Sequence, residues 1–147
     1  MEKPFLAYRG DEPYVFVCYA HGDAAQVYPE LERLHALGIN VWYDEGIRPG
    51  SEWTDTLAAQ IQACRWFVYF LSPNSIASEH CRRELGFAQE EKRPVLAVEL
   101  VPTQLPAGLR LSLNNRQIIA LHSLSEANYE RKVSEALTGQ PPAAAPL

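Results

Sequence analysis

The sequence is short of cysteine, of basic charge and of long apolar runs, and each shortage excludes something. Only three cysteines occur in 147 residues, Cys18, Cys64 and Cys81. Their number is odd, and no two form a CxxC pair. This argues against a disulfide framework and a structural zinc site and fits a reducing compartment. Lysine and arginine number 13 against 18 aspartates and glutamates, a formal charge of −5. A nucleic-acid binder normally presents a basic face, so that is not the main role; an anionic small molecule needs only a local arginine. Unbroken apolar runs such as Trp66–Leu71 stay far below the ~20 residues of a membrane span. The opening residues, MEKPFLAYRGDEP, carry charges and prolines where a signal peptide needs an apolar stretch. A cytoplasmic location with no membrane contact is expected.

What is present describes an ordinary globular chain, with 47% hydrophobic and 21% charged residues, one domain by length. Elements alternate along it. Tyr14–Tyr19 is apolar throughout, as a parallel strand covered on both faces is. Asp23 is placed to cap a helix with Val27, Leu31, Leu34 and Leu37 on one stripe, ended by Gly38. Asn40–Tyr43 is a short second strand, and the turn formers of DEGIRPG (44–50) make a loop. Ser51 is placed to cap a second helix, with Trp53, Leu57, Ile61 and Cys64 inward. Trp66–Leu71 is a third strand, broken by Ser72-Pro73-Asn74-Ser75. A helix follows from about Ser78 to Glu91, a strand at Pro94–Leu100, an irregular connection over 101–115, a strand at Gln117–Ala120 and a last helix at Ser125–Leu137. Such alternation predicts an α/β fold: a flavodoxin-like five-stranded parallel sheet flanked by helices, with ligands beyond the carboxyl ends of the strands.

Familiar chemistry is missing from those loops. No GxGxxG follows the first strand, and there is no GxxxxGK[ST] or GxSxG. A phosphoacceptor aspartate is lacking at the end of the third strand, which reads Leu71-Ser72-Pro73. The four histidines (His21, His35, His80, His122) show no metal-ligand spacing, so no metal is expected; His35 and His122 read as ordinary surface or part-buried residues. The three cysteines read as small core residues.

One constellation remains. On a wheel of ~100° per residue, Cys81, Leu85, Phe87 and Ala88 share an arc of roughly 160°. Glu84 falls inside that arc, and His80 one turn earlier. A carboxylate among apolar side chains is costly unless it is paired or faces a cleft. Two readings follow. Glu84 is either a structural group, paired with an arginine or rotated to water, or a partly buried carboxylate at a cleft near the switch point.

Three segments resemble the TIR (Toll/interleukin-1 receptor homology) domain family over about Pro13 to Leu137. YVFVCYAHGD resembles its first strand. VWYDEGIRPGSEW resembles its second strand and BB loop, here Asp44–Ser51. CRWFVYFLSPNSIASEHCRREL resembles its third strand, the Ser-Pro break and the helix start S-x-x-C-x-x-E-L. The resemblance implies the TIR fold over residues 13–137, with an N-terminal extension (1–12) and a Pro/Ala-rich tail (138–147) that leads to a sensor domain in a longer protein.

The resemblance also implies a function. Many bacterial, plant and axonal TIR domains cleave NAD⁺ at the nicotinamide–ribose bond, as hydrolases or ADP-ribosyl cyclases; the helix glutamate is their catalytic residue and maps onto Glu84. NAD⁺ is then substrate, with no cofactor. Its nicotinamide leaves neutral, so one carboxylate stabilising an oxocarbenium-like ribosyl centre is enough. Enzymatic members often carry tryptophan four residues before that glutamate; here the position is His80, a smaller stacking face. Tyr19, Ala20 and His21 end the first strand on the substrate side. Arg48 is placed for the pyrophosphate or is a solvated arginine. Trp42 is an aromatic wall or a core residue, and Asp44 either touches ligand or fixes the BB loop by capping. With two glycines, that loop is not expected to hold one conformation alone, so activity should require self-association through it. The expected whole is an NAD⁺-cleaving effector of bacterial defence. The alternative is a non-enzymatic TIR–TIR interaction module; a nucleoside deoxyribosyltransferase-like enzyme would need loop motifs the sequence lacks.

Overall fold

The computed structural model describes residues 2–45, 51–113, 118–140 and 142, with 51–53 described as backbone only. Five strands form the sheet: β1 (Val15–Cys18), β2 (Val41–Tyr43), β3 (Trp66–Leu71), β4 (Val95–Glu99) and β5 (Ile118–Ala120). All pairs are parallel and the order is β2-β1-β3-β4-β5. That is the flavodoxin-like order, whose topological switch lies between β1 and β3. The crossovers carry α1 (Ala24–Ala36), α2 (Ser51–Ala63), α3 (Pro73–Ala77), α4 (Glu79–Glu90), α5 (Ala107–Ser112) and α6 (Glu126–Thr138).

The apolar runs have become the inner strands because both faces are covered. Phe67 through Leu71 are out of contact with water. On one face Phe16 stacks between Trp42 and Phe67, at centroid distances of 5.0 and 5.3 Å. Val27, Leu31 and Leu34 of α1 are buried, and Leu37 is partly so. Gly38 ends α1 at φ +81°, a left-handed backbone that glycine adopts without strain. All three thiols are buried and free, in keeping with their reading as small core groups.

Three expectations are corrected. Asp23 makes no side-chain bond to the start of α1. Its carboxylate is instead held by Ser72 Oγ and by Asn74 Nδ2 at 2.8 Å, across the switch point. A contact between residues 49 apart leaves no local trace for sequence reasoning. The Ser-Pro break is itself helical: Ser72 caps α3 in a reciprocal box with Ser75, and proline fits the first turn. The connection over 101–115 holds α5, which buries none of its side chains. The N-terminal extension packs on the sheet's edge, where Tyr8 N–H donates to the Val41 carbonyl at 2.9 Å and Ala7 is buried. It thus covers part of the exposed edge of β2. Gln117, the expected first residue of the fifth strand, lies outside the described residues, as do the side chains of Ser51 and Trp53.

The brace across the switch point makes a prediction. Asp23→Ala leaves Ser72 and Asn74 without their shared acceptor, and loss of a buried partner costs ~1–3 kcal/mol. Urea denaturation should show a loss of that size, and an unchanged midpoint would mean the brace contributes nothing.

Candidate functional site

Glu84 reaches its place through a chain of short bonds from β3. Ser72 ends the strand and caps α3, the Ser78 N–H closes α3 on the Ser75 carbonyl, and Ser78 Oγ accepts from the Cys81 N–H at 3.2 Å to cap α4. Two helices therefore meet at one residue, and α4 starts in a fixed orientation. Its buried side chains are Cys81, Glu84, Leu85 and Ala88, the arc the wheel predicts. Glu84 is 9% exposed.

Its partner is His80, rather than an arginine. His80 Nε2 contacts Glu84 Oε2 as an i, i+4 ion pair, and the imidazole is 49% exposed at the mouth. The Cys18 thiol also interacts with this carboxylate. The bond to Glu84 holds the His80 imidazole above its usual range; partial burial opposes this, and the charges of Glu84 and Asp44 add to it. Behind Glu84 lies the end of β1. Burial, a bond with Cys81 and the Glu84 charge together raise the Cys18 thiol well above its ordinary value, so it stays neutral. The Cys18 thiol approaches the Cys81 carbonyl at 3.8 Å.

A second pair stands beside the first. His21 Nε2 lies 3.7 Å from Asp44 Oδ2. The Tyr19 hydroxyl donates to the Asp44 carbonyl at 3.0 Å, and its ring lies 5.2 Å from that of His21. Tyr19, Ala20, His21 and Asp44 thus gather at the carboxyl ends of β1 and β2, with His80 and Glu84 across the sheet's switch. Tyr19 is buried and supports the others through its hydroxyl. Trp42 is also buried, its ring stacked on Phe16, so of its two sequence readings the core one describes its position. Arg48 lies outside the described residues. A third histidine–carboxylate pair, His122 Nε2 to Glu99 Oε1 at 2.6 Å, sits at the same sheet end beyond β4 and β5.

Sequence reasoning named Glu84 and His80 separately but did not join them, although their spacing of four is the one at which helix side chains meet. The pairs His21–Asp44 and Glu99–His122 join separate loops and have no such signal. At the opposite end of the sheet a cleft of about 320 Å³ opens between Tyr14, Asn40, Arg65, Trp66 and the end of α6. No carboxylate, histidine or cysteine lines it, so the titratable chemistry belongs to the carboxyl end.

A sequence-family model described as TIR domain matches residues 15–137, most of the chain. The chain belongs to the TIR domain family. Solved structures of the same fold include the TIR domain of the Toll-related receptor TRR-2 from Hydra magnipapillata. It has 18% identity over 65% of this chain and 76% of that one, with a TM-score of 0.57. The RPS4 and RRS1 TIR domain heterodimer gives 18% identity, 87% and 95% coverage, and a TM-score of 0.55. The TIR domains of the activated Roq1 resistosome, which recognises the pathogen effector XopQ, give 21%, 60%, 57% and 0.50 in the same order. No curated protein matches the chain. At such identities the likeness is one of fold. Among its described residues this TIR domain has no helix long and apolar enough to cross a membrane and no cluster of metal ligands.

The histidine contact can be read directly. A histidine raised by its partner contributes stability that is present below the ordinary imidazole value of ~6.5 and is lost as pH rises through the raised value. Proton NMR should find His80 of the TIR domain titrating above ~6.5, and Glu84→Gln should bring it down toward that value. A midpoint that Glu84→Gln leaves in place would show that the carboxylate does not hold the proton.

Proposed function

We propose that this TIR domain cleaves NAD⁺ at the nicotinamide–ribose bond, with Glu84 as the catalytic residue, as a hydrolase or an ADP-ribosyl cyclase in cytoplasmic defence signalling. The observation that carries the reading is the position of Glu84. It is a carboxylate nine-tenths out of water on the sheet-facing side of α4, at the carboxyl end of the sheet, with no lysine or arginine paired to it among the described residues. A purely structural ion pair is better built with a permanently charged arginine than with a half-exposed imidazole that gives up its charge near neutrality.

The chemistry asks little more of the chain. Departure of nicotinamide from NAD⁺ leaves positive charge on the ribosyl carbon and its ring oxygen, and the leaving group goes as a neutral molecule. No general acid is required. A carboxylate in a poorly hydrated site stabilises that centre and accepts hydrogen bonds from ribose hydroxyls. Tyr19, Ala20, His21 and Asp44 supply the facing wall, and Arg48 is the candidate for the pyrophosphate.

Glu84→Gln keeps the shape and removes the charge. Cleavage of NAD⁺, followed by chromatography of the products, should fall ~10²–10⁴-fold while the fold is retained. A folded, fully active Gln variant would sink the assignment.

Assembly belongs to the same reading. The BB loop begins at Asp44, which Tyr19 and His21 hold, and contains two glycines. Fixing it against a second copy supplies the pre-organisation that catalysis needs, and a head-to-tail contact of this kind extends without closing. Activity per molecule should therefore climb with protein concentration from nanomolar to high micromolar, and Arg48→Glu should flatten the climb. High activity that is flat over that range would place a complete site in one chain.

The second reading is a TIR–TIR interaction module without catalysis. The RPS4 and RRS1 TIR domains form a heterodimer, and His80 already contacts Glu84 in this chain. The cleavage assay separates the two.

A further inference from the structure

We propose that His80 selects for a positively charged ring at Glu84: its imidazolium occupies the carboxylate while the site is empty, and a dinucleotide with a cationic ring replaces that charge and expels one proton to solvent as it binds. The inference rests on the reading of the site as one for NAD⁺ and adds to it the basis of charge selection.

Glu84 Oε2 is buried; His80 Nε2 is the cationic group in contact with it among the described residues, and the Cys18 thiol beside it is neutral. The i, i+4 tether keeps the imidazole within the first turn of α4, so it can swing aside but cannot leave. A ligand that brings a nicotinamidium to Glu84 therefore sits beside the histidine. Two like charges sharing one carboxylate repel strongly where water is scarce. The ligand's charge is permanent and the histidine's is not, so the histidine gives way by losing its proton. A ligand with a neutral ring forces no such exchange and gains less, because the carboxylate keeps its own counterion.

The surroundings of His80 do not offer another route. Glu84 and Cys81 face it from its own helix, and Asp44 faces it from the end of β2. His21 after β1 stands against Asp44, so that carboxylate already has a histidine beside it. The Cys81 thiol is held low by its bond with Cys18 and by Ser78, against the effect of burial, and sits in the core. Glu79 and Arg83 pair with each other at 2.7 Å on the exposed side of the helix. The proton that ligand charge displaces is thus the one on His80.

The test uses the domain at high concentration and two probes of equal size. One is a carbocyclic NAD⁺ analogue, cationic but unable to form the oxocarbenium centre. The other is NADH, whose reduced ring is neutral. Titration calorimetry in buffers of different ionisation enthalpy counts the protons released. Below the His80 midpoint the analogue should release close to one proton, and its affinity should weaken up to about tenfold per pH unit as pH falls. Above the midpoint the release should vanish. NADH should release none at any pH, and His80→Asn or His80→Gln should abolish the linkage for the analogue. Equal release for both probes, or a linkage that survives in a folded Asn or Gln variant, overturns the proposal. NAD⁺ cleavage measured in parallel separates the two levels. Cleavage without proton linkage overturns this inference alone, and absence of both binding and cleavage in the wild-type chain overturns the functional reading with it.

Discussion

Burial of the Glu84 carboxylate is the constraint around which the carboxyl end of this molecule is arranged. Taking a charged carboxylate out of water is costly, and the apolar side chains beside it on α4 return nothing for it. Something must either neutralise the charge or use it. The chain does the first with an imidazole rather than a guanidinium, and so leaves the charge recoverable. The neutral Cys18 thiol behind it adds no competing charge, and the second carboxylate nearby, Asp44, has its own histidine. The site is therefore a set of histidine–carboxylate pairs.

Glu84 and its partner His80 are positioned by β3 and α4, whereas the His21–Asp44 pair comes from the other loops. The Asp23–Ser72–Asn74 brace ties the loop after β1 to the one after β3, which fixes how far apart the two sides of the switch point stand. Tyr19 then fixes Asp44 by its hydroxyl. None of these groups needs to touch ligand for the geometry at Glu84 to depend on them, and that separates positioning residues from Glu84 itself.

The sheet was legible because its strands are unbroken apolar runs and its helices carry stripes at the right period; Trp66–Leu71 occupies the strand it suggested. Gly38 marked the end of α1 because only a residue tolerant of positive φ suits that place. Glu84 was legible for an opposite reason, as a violation of the pattern around it. Asp23 misled because an aspartate before a helix looks like a cap, and its real partners lie 49 and 51 residues away. The helices α3 and α5 were missed because five or six residues are too few to show a period. The pairing of His80 with Glu84 was readable from spacing, but the wheel treated the two as neighbours in an arc rather than as opposite charges.

The serines at 72, 75 and 78 give the fold one further property. They relay position from the central strand to α4 through backbone and hydroxyl bonds, which the loop after β1 joins at Ser72 through Asp23. Exchanges in the loop after β1 that spare Asp23 can accordingly be sampled by evolution without moving the carboxylate. A scaffold of this kind tolerates change in the rest of that loop while its buried carboxylate stays put.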